Sequence, residues 1–181
     1  MPRTRPGFTG FWQRMRCCGR TQTGGLLDVD DGNSIYWECS GNPEGQPAVY
    51  IHGGPGSGST PHARRFFDPG TYRIVLFDQR GCGRSRPILT HRSQLQANTT
   101  QHLINDLELL REHLAVERWF VLGASWGTTL ALAYAQAHPK RVAGIVLAGV
   151  TTTSRREVEW ITTEVGRIFP QQWERFVSHI P

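Results

Sequence analysis

Four apolar runs punctuate the chain, at residues 48–51, 73–78, 119–123 and 142–148, and each gives way at once to glycine or turn-forming residues. Short unbroken apolar runs bounded by such signals read as strands buried on both faces. Ahead of them, residues 26–29 and 34–39 flank Asp30-Asp31-Gly32-Asn33, which predicts an opening hairpin. Between the second and third runs, Leu103, Ile104, Leu107, Leu110 and Leu114 recur at helical spacing behind the capping candidates Asn98-Thr99-Thr100. A second helix is predicted over residues 128–138, alanine- and leucine-rich and stopped by Pro139. Strands alternating with helices predict an α/β fold, a mostly parallel sheet with helices on both faces. After Gly149 the pattern changes to amphipathic helices broken near Pro170, a helical element expected to lie over the sheet.

Composition adds limits. A chain of 181 residues with 38% hydrophobic content can bury one sizeable core, so one domain is the default. The formal charge of +5 comes from Arg3, Arg5, Arg14, Arg16 and Arg20; the remaining residues hold 15 basic and 15 acidic groups. Residues 1–25 therefore read as a basic, flexible leader, and a neutral globular part argues against a nucleic-acid partner. No run approaches the roughly 18 apolar residues of a membrane span and no apolar signal core follows the first arginines, so neither an anchor nor export is expected and the location expected is cytoplasmic. Cys17, Cys18, Cys39 and Cys82 form no Cys-x-x-Cys pair and lack histidines at ligand spacing, so neither a metal site nor disulfides are expected.

The candidate chemistry lies in the third run and its turn, Gly123-Ala124-Ser125-Trp126-Gly127. A serine flanked by glycines two positions either side, with a strand before it and a helix after it, reads as a nucleophile elbow. Gly123 and Gly127 are needed because a side chain there would collide with neighbouring backbone, and the strained turn lifts the Ser125 hydroxyl clear of the sheet. The loop His52-Gly53-Gly54-Pro55-Gly56-Ser57-Gly58 has serine where a phosphate-binding loop needs lysine, and the loop at residues 79–85 follows the wrong strand for a dinucleotide. Nucleotide binding is thereby rejected and no cofactor is expected. The first loop reads instead as an oxyanion hole, with the backbone N–H groups of Gly54 and Trp126 as donors. His52, leading that loop, reads as a structural hydrogen-bonder rather than a base. Cys82 fits equally a buried small residue or a thiol beside the site.

Residues 26–29, 31–33, 35–38 and 40–43, His52 to Gly56, Asp78 to Ser85, Asn98-Thr99-Thr100 and Gly123 to Gly127 together resemble the proline iminopeptidase family, over nearly all of residues 26–181. The resemblance implies an α/β-hydrolase fold and metal-free release of N-terminal proline from peptide substrates through an acyl-enzyme on Ser125. It also implies a cap over the substrate, starting near Arg155. The departures are Ala124, where the family has glycine, and residues 1–25, which match nothing in it. In this fold the triad follows the order serine, acid, histidine, yet no aspartate follows Asp106, and His138 and His179 are the histidines after Ser125. His138 ends the elbow helix, roughly 15 Å from the serine at 1.5 Å per residue. The expectation is an N-terminal portion of a longer enzyme: a leader at 1–25, part of the hydrolase core at 26–152 truncated before its last strands, and the start of a cap at 153–181. An esterase- or lipase-like hydrolase and an inactive binding module share the same elbow and stand as alternatives.

Overall fold

Asp31 and Gly32 both take left-handed backbone, at φ 55° and 69°, and the Asn33 N–H donates to the Asp30 carbonyl at 3.1 Å. Positive φ at both central residues suits the twist of an antiparallel pair, so this tetrapeptide joins Thr23–Asp28 (β1) to Ser34–Gly41 (β2) as a hairpin. The computed structural model describes residues 21–179. β1 begins within the stretch expected to be leader: Thr23, Gly24 and Gly25 pair with Cys39, Glu38 and Trp37. Main-chain pairing recruits them without any apolar side chain, which is why the hydrophobic pattern does not mark them. The expectation for residues 1–20 lies outside the described residues.

Gln46–Ile51 (β3), Tyr72–Phe77 (β4), Trp119–Ala124 (β5) and Val142–Ala148 (β6) complete a six-stranded sheet of order β1-β2-β4-β3-β5-β6. β2 meets β4 antiparallel, and the pairs β3–β4, β3–β5 and β5–β6 are parallel. Within the apolar runs the strand period still sorts the side chains. Val49, Ile51, Val75, Phe77, Trp119 and Val121 share one core with Leu107, Leu110, Leu130 and Tyr134 from two helices, Thr100–His113 (α1) and Trp126–Ala137 (α2). Ala48, Ile74 and Leu76 face the other side, under Ala63 of the 3₁₀ helix Pro61–Phe66 and Phe67 just after it. Burial of a leucine such as Leu107, which has no exposed surface, contributes roughly 1.5–3 kcal/mol.

α1 is capped by Thr99, whose side chain accepts from the His102 N–H, and it ends before Ala115 at φ 52°. Beyond β6, the Thr151 N–H donates to Thr128 Oγ1 and Thr129 Oγ1 donates to the Thr151 carbonyl, which ties the connector to the start of α2. Arg155–Thr162 (α3) follows, capped by Ser154 and Glu157, and after a short 3₁₀ turn comes Pro170–Val177 (α4). Neither of these last helices contains a buried residue, and Trp160, Ile161 and Phe176 remain exposed.

A charged cluster joins the hairpin to the core. Arg80, in the loop after β4 and 1% exposed at its side chain, donates to both Asp106 oxygens on α1 at 2.5 and 2.7 Å, to the Ala97 carbonyl at 2.9 Å and to Asp30. Burial opposes the guanidinium charge, and the bonds to Asp106 and Asp30 more than offset this, raising its pKa. Removing one partner of a buried pair leaves the other charge uncompensated. Arg80→Met is therefore expected to lower stability by about 3–5 kcal/mol. Restoring neutrality in Arg80→Met/Asp106→Leu should recover most of the loss, read from urea midpoints.

Candidate active site

β3, β4, β5 and β6 point the same way, so residues 52–58, 78–85, Ser125 and the connector after β6 all emerge at one edge of the sheet. In open α/β sheets that carboxyl edge is where ligands bind. Ser125 sits there as the N-cap of α2 with φ 54° and ψ −124°, a conformation L side chains rarely adopt. The turn is held on both sides: the Ser125 N–H donates to the Ala148 carbonyl at 2.9 Å, and its own carbonyl accepts from the Thr128 N–H at 2.8 Å and from Thr128 Oγ1 at 2.7 Å. A Cβ at position 127 would overlap the Ile51 carbonyl oxygen and one at position 123 would overlap the Gly127 carbonyl, so β5, the helix start and the end of β3 approach as only glycine allows. Ser125 is exposed, and its Oγ makes no hydrogen bond with any described residue.

The loop after β3 lies against the serine. A Cβ on Gly53 would stand 2.9 Å from both the Ala124 carbonyl oxygen and Ser125 Cβ, and Gly54, Gly56 and Gly58 take φ of 115°, 90° and 73°. The Gly54 and Trp126 amides, the two expected donors, donate to no other backbone group among the described residues. His52 fixes the root of the loop. The Gln79 N–H donates to its Nε2 at 3.0 Å, which leaves the proton on Nδ1 to be given to the Gly53 carbonyl at 2.9 Å. Burial holds the imidazole below its ordinary pKa, so His52 is neutral and both its nitrogens are engaged.

Sequence reasoning left Asp78 and Glu38 without a role. Asp78, 1% exposed, accepts from Ser59 N and Oγ at 2.7 and 2.6 Å and from Arg84 N and Nε at 2.8 and 2.9 Å. Burial pushes this carboxyl up, but the bonds from Arg84 and Ser59 outweigh it and leave the pKa below the usual value. Glu38 on β2 accepts from Arg64 at 2.5 Å and from the Tyr36 hydroxyl at 2.9 Å, and pairs with Arg84 at 3.2 Å. Asp78 thereby anchors the far end of the glycine loop through Ser59, as His52 anchors its near end. The legible signal was an aspartate closing an apolar strand; its partners were not readable.

A cleft of about 330 Å³ opens over the serine, bordered by Gly54, Ser125, Trp126, Val150, Glu157 and Trp160. A second cavity of about 760 Å³ lies on the other side of Pro55 and Trp126. His138 stands at the opposite end of α2, 3.8 Å from Glu108 and beside Tyr134, and His179 bonds the Arg175 carbonyl. Neither is hydrogen-bonded to Ser125. Asp30, Asp31 and His102 bring three groups of metal-ligand type together at the β1–β2 turn, but Asp30 serves Arg80 and His102 Nδ1 serves the Thr99 cap.

A family described as alpha/beta hydrolase fold matches residues 47–180. The chain belongs to that family. The chain is 55% identical over 158 residues to a Streptomyces coelicolor protein named "Probable proline iminopeptidase", a match spanning 87% of this chain and 49% of that one. A proline iminopeptidase of Arabidopsis thaliana is 51% identical, over 87% of this chain and 40% of its own. The crystal structure of a proline iminopeptidase-related protein from Thermus thermophilus superposes with a TM-score of 0.60 at 33% identity, covering 71% of this chain and 44% of that one. The chain spans about half the length of the curated relatives it matches. Among the described residues no helix is long and apolar enough to cross a membrane.

Cys82 is 8% exposed and its thiol donates to the Gln79 carbonyl at 3.1 Å. Burial, reinforced by the Asp78 charge, pushes its pKa up to about 11. It borders the second cavity, yet holds its proton at neutral pH. Iodoacetamide at pH 7.5 should therefore modify Cys82 roughly 100-fold more slowly in the folded chain than in urea, followed by peptide mass spectrometry. Equal rates would show an open, ionised thiol.

Proposed function

We propose that this chain carries the nucleophile and oxyanion hole of a serine peptidase that releases N-terminal proline from peptides. The observation that carries the reading is Ser125, exposed on a left-handed strand-to-helix turn, beside the unengaged N–H groups of Gly54 and Trp126. Relatives named proline iminopeptidase, at about half identity, supply the substrate. Ser125 Oγ attacks the prolyl carbonyl, and the oxygen, now negative, accepts from the Gly54 and Trp126 N–H groups, each such donor being worth about 2.7–4 kcal/mol. Collapse expels the shortened peptide as its amine, and water then attacks the prolyl ester to free proline and Ser125. The base for both steps is a histidine outside residues 21–179, in the part of the relatives' length that this chain does not span. α3 and α4 begin the cap that closes over the proline ring, and residues 26–152 form the core beneath it.

No metal or cofactor enters this chemistry, and neither nucleic acid nor membrane is a partner. The same reading puts the enzyme in the cytoplasm, where the unpaired Cys39 and Cys82 suit a reducing environment. The deciding experiment measures proline release from a prolyl arylamide against hydrolysis of short acyl esters, using the protein expressed from its complete reading frame. Proline release is expected to dominate kcat/KM. Preference for the esters would replace the peptidase reading by an esterase one, and inactivity toward both would leave a binding module.

A further inference from the structure

The two cavities at the carboxyl edge share one wall, Pro55 and Trp126, but differ in charge. The cleft over Ser125 is bordered by Glu157 as well as by Val150, Val158 and Trp160, and the Glu157 carboxylate, which accepts from Thr152 and Ser154 at the cap of α3, is paired with no cation among the described residues. The larger cavity offers no free charge among the described residues. Its ionisable groups are Arg80, whose guanidinium is committed to Asp106, Asp30 and the Ala97 carbonyl, and Cys82, whose thiol is bonded to Gln79. Its rim is apolar: Ile88 and Leu95 are 42% and 52% exposed there. The dividing wall carries an unused donor, since Trp126 Nε1 is buried without a hydrogen-bond partner among the described residues.

A tetrahedral carbon on Ser125 Oγ must send its acyl substituent and its leaving group in different directions, with the oxyanion held between the Gly54 and Trp126 amides. An N-terminal proline carries a secondary ammonium, which needs an anion or water nearby, whereas the residue after the scissile bond brings a neutral backbone. Charge therefore assigns the prolyl group to the Glu157-bordered cleft and leaves the uncharged cavity for the residue after proline. A volume of about 760 Å³ lies within the range that encloses small ligands.

We propose that the cavity beyond Trp126 is the leaving-group subsite, which receives the first residue or two after the N-terminal proline and prefers an apolar side chain there over a charged one. This rests on the proposed proline-releasing activity. Leu95 and Ile88 form its apolar rim, and Trp126 divides it from the prolyl cleft.

The test uses the protein expressed from its complete reading frame and the amides Pro-Leu-NH₂, Pro-Asp-NH₂ and prolinamide. The wild type is expected to favour Pro-Leu-NH₂ over Pro-Asp-NH₂ by at least about tenfold in kcat/KM, the size of effect a single pocket contact gives. Leu95→Lys and Ile88→Lys should each shift that ratio at least about tenfold toward Pro-Asp-NH₂, because the new ammonium stands where the aspartate side chain enters. Leu109→Lys, a similar change at a 40%-exposed position on α1 that does not border the cavity, should leave the ratio where it was. Prolinamide, which has no residue after proline, separates the two ideas. Proline release from prolinamide with a Leu/Asp ratio near one, or a ratio unmoved by both rim lysines, overturns the subsite while the activity stands. No release from prolinamide or from a prolyl arylamide overturns the activity, and the subsite with it.

Discussion

Ser125→Ala, in the protein expressed from its complete reading frame, is expected to lower proline release by on the order of 10⁴–10⁶-fold while leaving the unfolding midpoint unchanged. Loss of a triad nucleophile typically removes about six orders of magnitude, and binding with an oxyanion hole preserves about 10³–10⁴ over water, so the residual rate measures the hole proposed at Gly54 and Trp126. The stability half of the expectation follows from the geometry. Ser125 is exposed and its Oγ bonds to no described residue, so alanine deletes no contact, and the two side chains suffer alike at φ 54°. Gly127→Ala makes the contrast: its Cβ would drive α2 and β3 apart at the Ile51 carbonyl, so both folding and activity should suffer. Turnover in Ser125→Ala equal to that of the wild type would remove the elbow from the mechanism.

What the sequence exposes and what it hides divide along one physical line. Every strand and helix driven by its own side-chain period was readable: the expected strand at residues 142–148 is β6 as found, and the strand expected at 73–78 is Tyr72–Phe77. The start of β1 was not, because Thr23-Gly24-Gly25 is held by main-chain pairing to β2. The helix after the elbow begins at Trp126 rather than Thr128, since the turn at Ser125 passes straight into helical backbone. The glycine loop could be recognised from composition, whereas the groups that pin it could not. Ser59 and Asp78, Arg64 and Glu38, and Arg80 and Asp106 lie 19 to 26 residues apart, and only the sheet order brings them together. His52 was read as structural from its place at the head of the loop; that both of its nitrogens are engaged is visible only when Gln79 is seen beside it.

The 181-residue chain expressed alone is expected to self-associate, with β6 as the seam. β6 pairs with β5 on one side and has no partner strand on the other among the described residues. Val142–Ala148 contains no charge and no proline, and Ile145 and Val146 are 38% and 58% exposed. An uncovered apolar edge presents free N–H and C=O groups to any other strand, and proteins ordinarily blunt such edges with lysine, proline or a covering helix. α3 and α4 do not supply the cover, since they contain no buried residue and expose Trp160, Ile161 and Phe176 themselves. β1, at the opposite edge, is a weaker seam because two of its six residues are glycine, which packs poorly in strands. Val146→Lys places a charge on the exposed side of β6, where a surface change ordinarily alters folding stability by no more than about 0.5 kcal/mol, so a shift toward monomer would come from the edge. Size-exclusion chromatography with light scattering reads the outcome. The unmodified chain should elute as multimers with proline release near background, and Val146→Lys should move most of the material to monomer without restoring activity. A monodisperse unmodified monomer would show that the edge is covered. If that monomer also released proline at a rate close to that of the protein from the complete reading frame, the base would have to lie within this chain, and His179, just after α4, would be the first residue to replace.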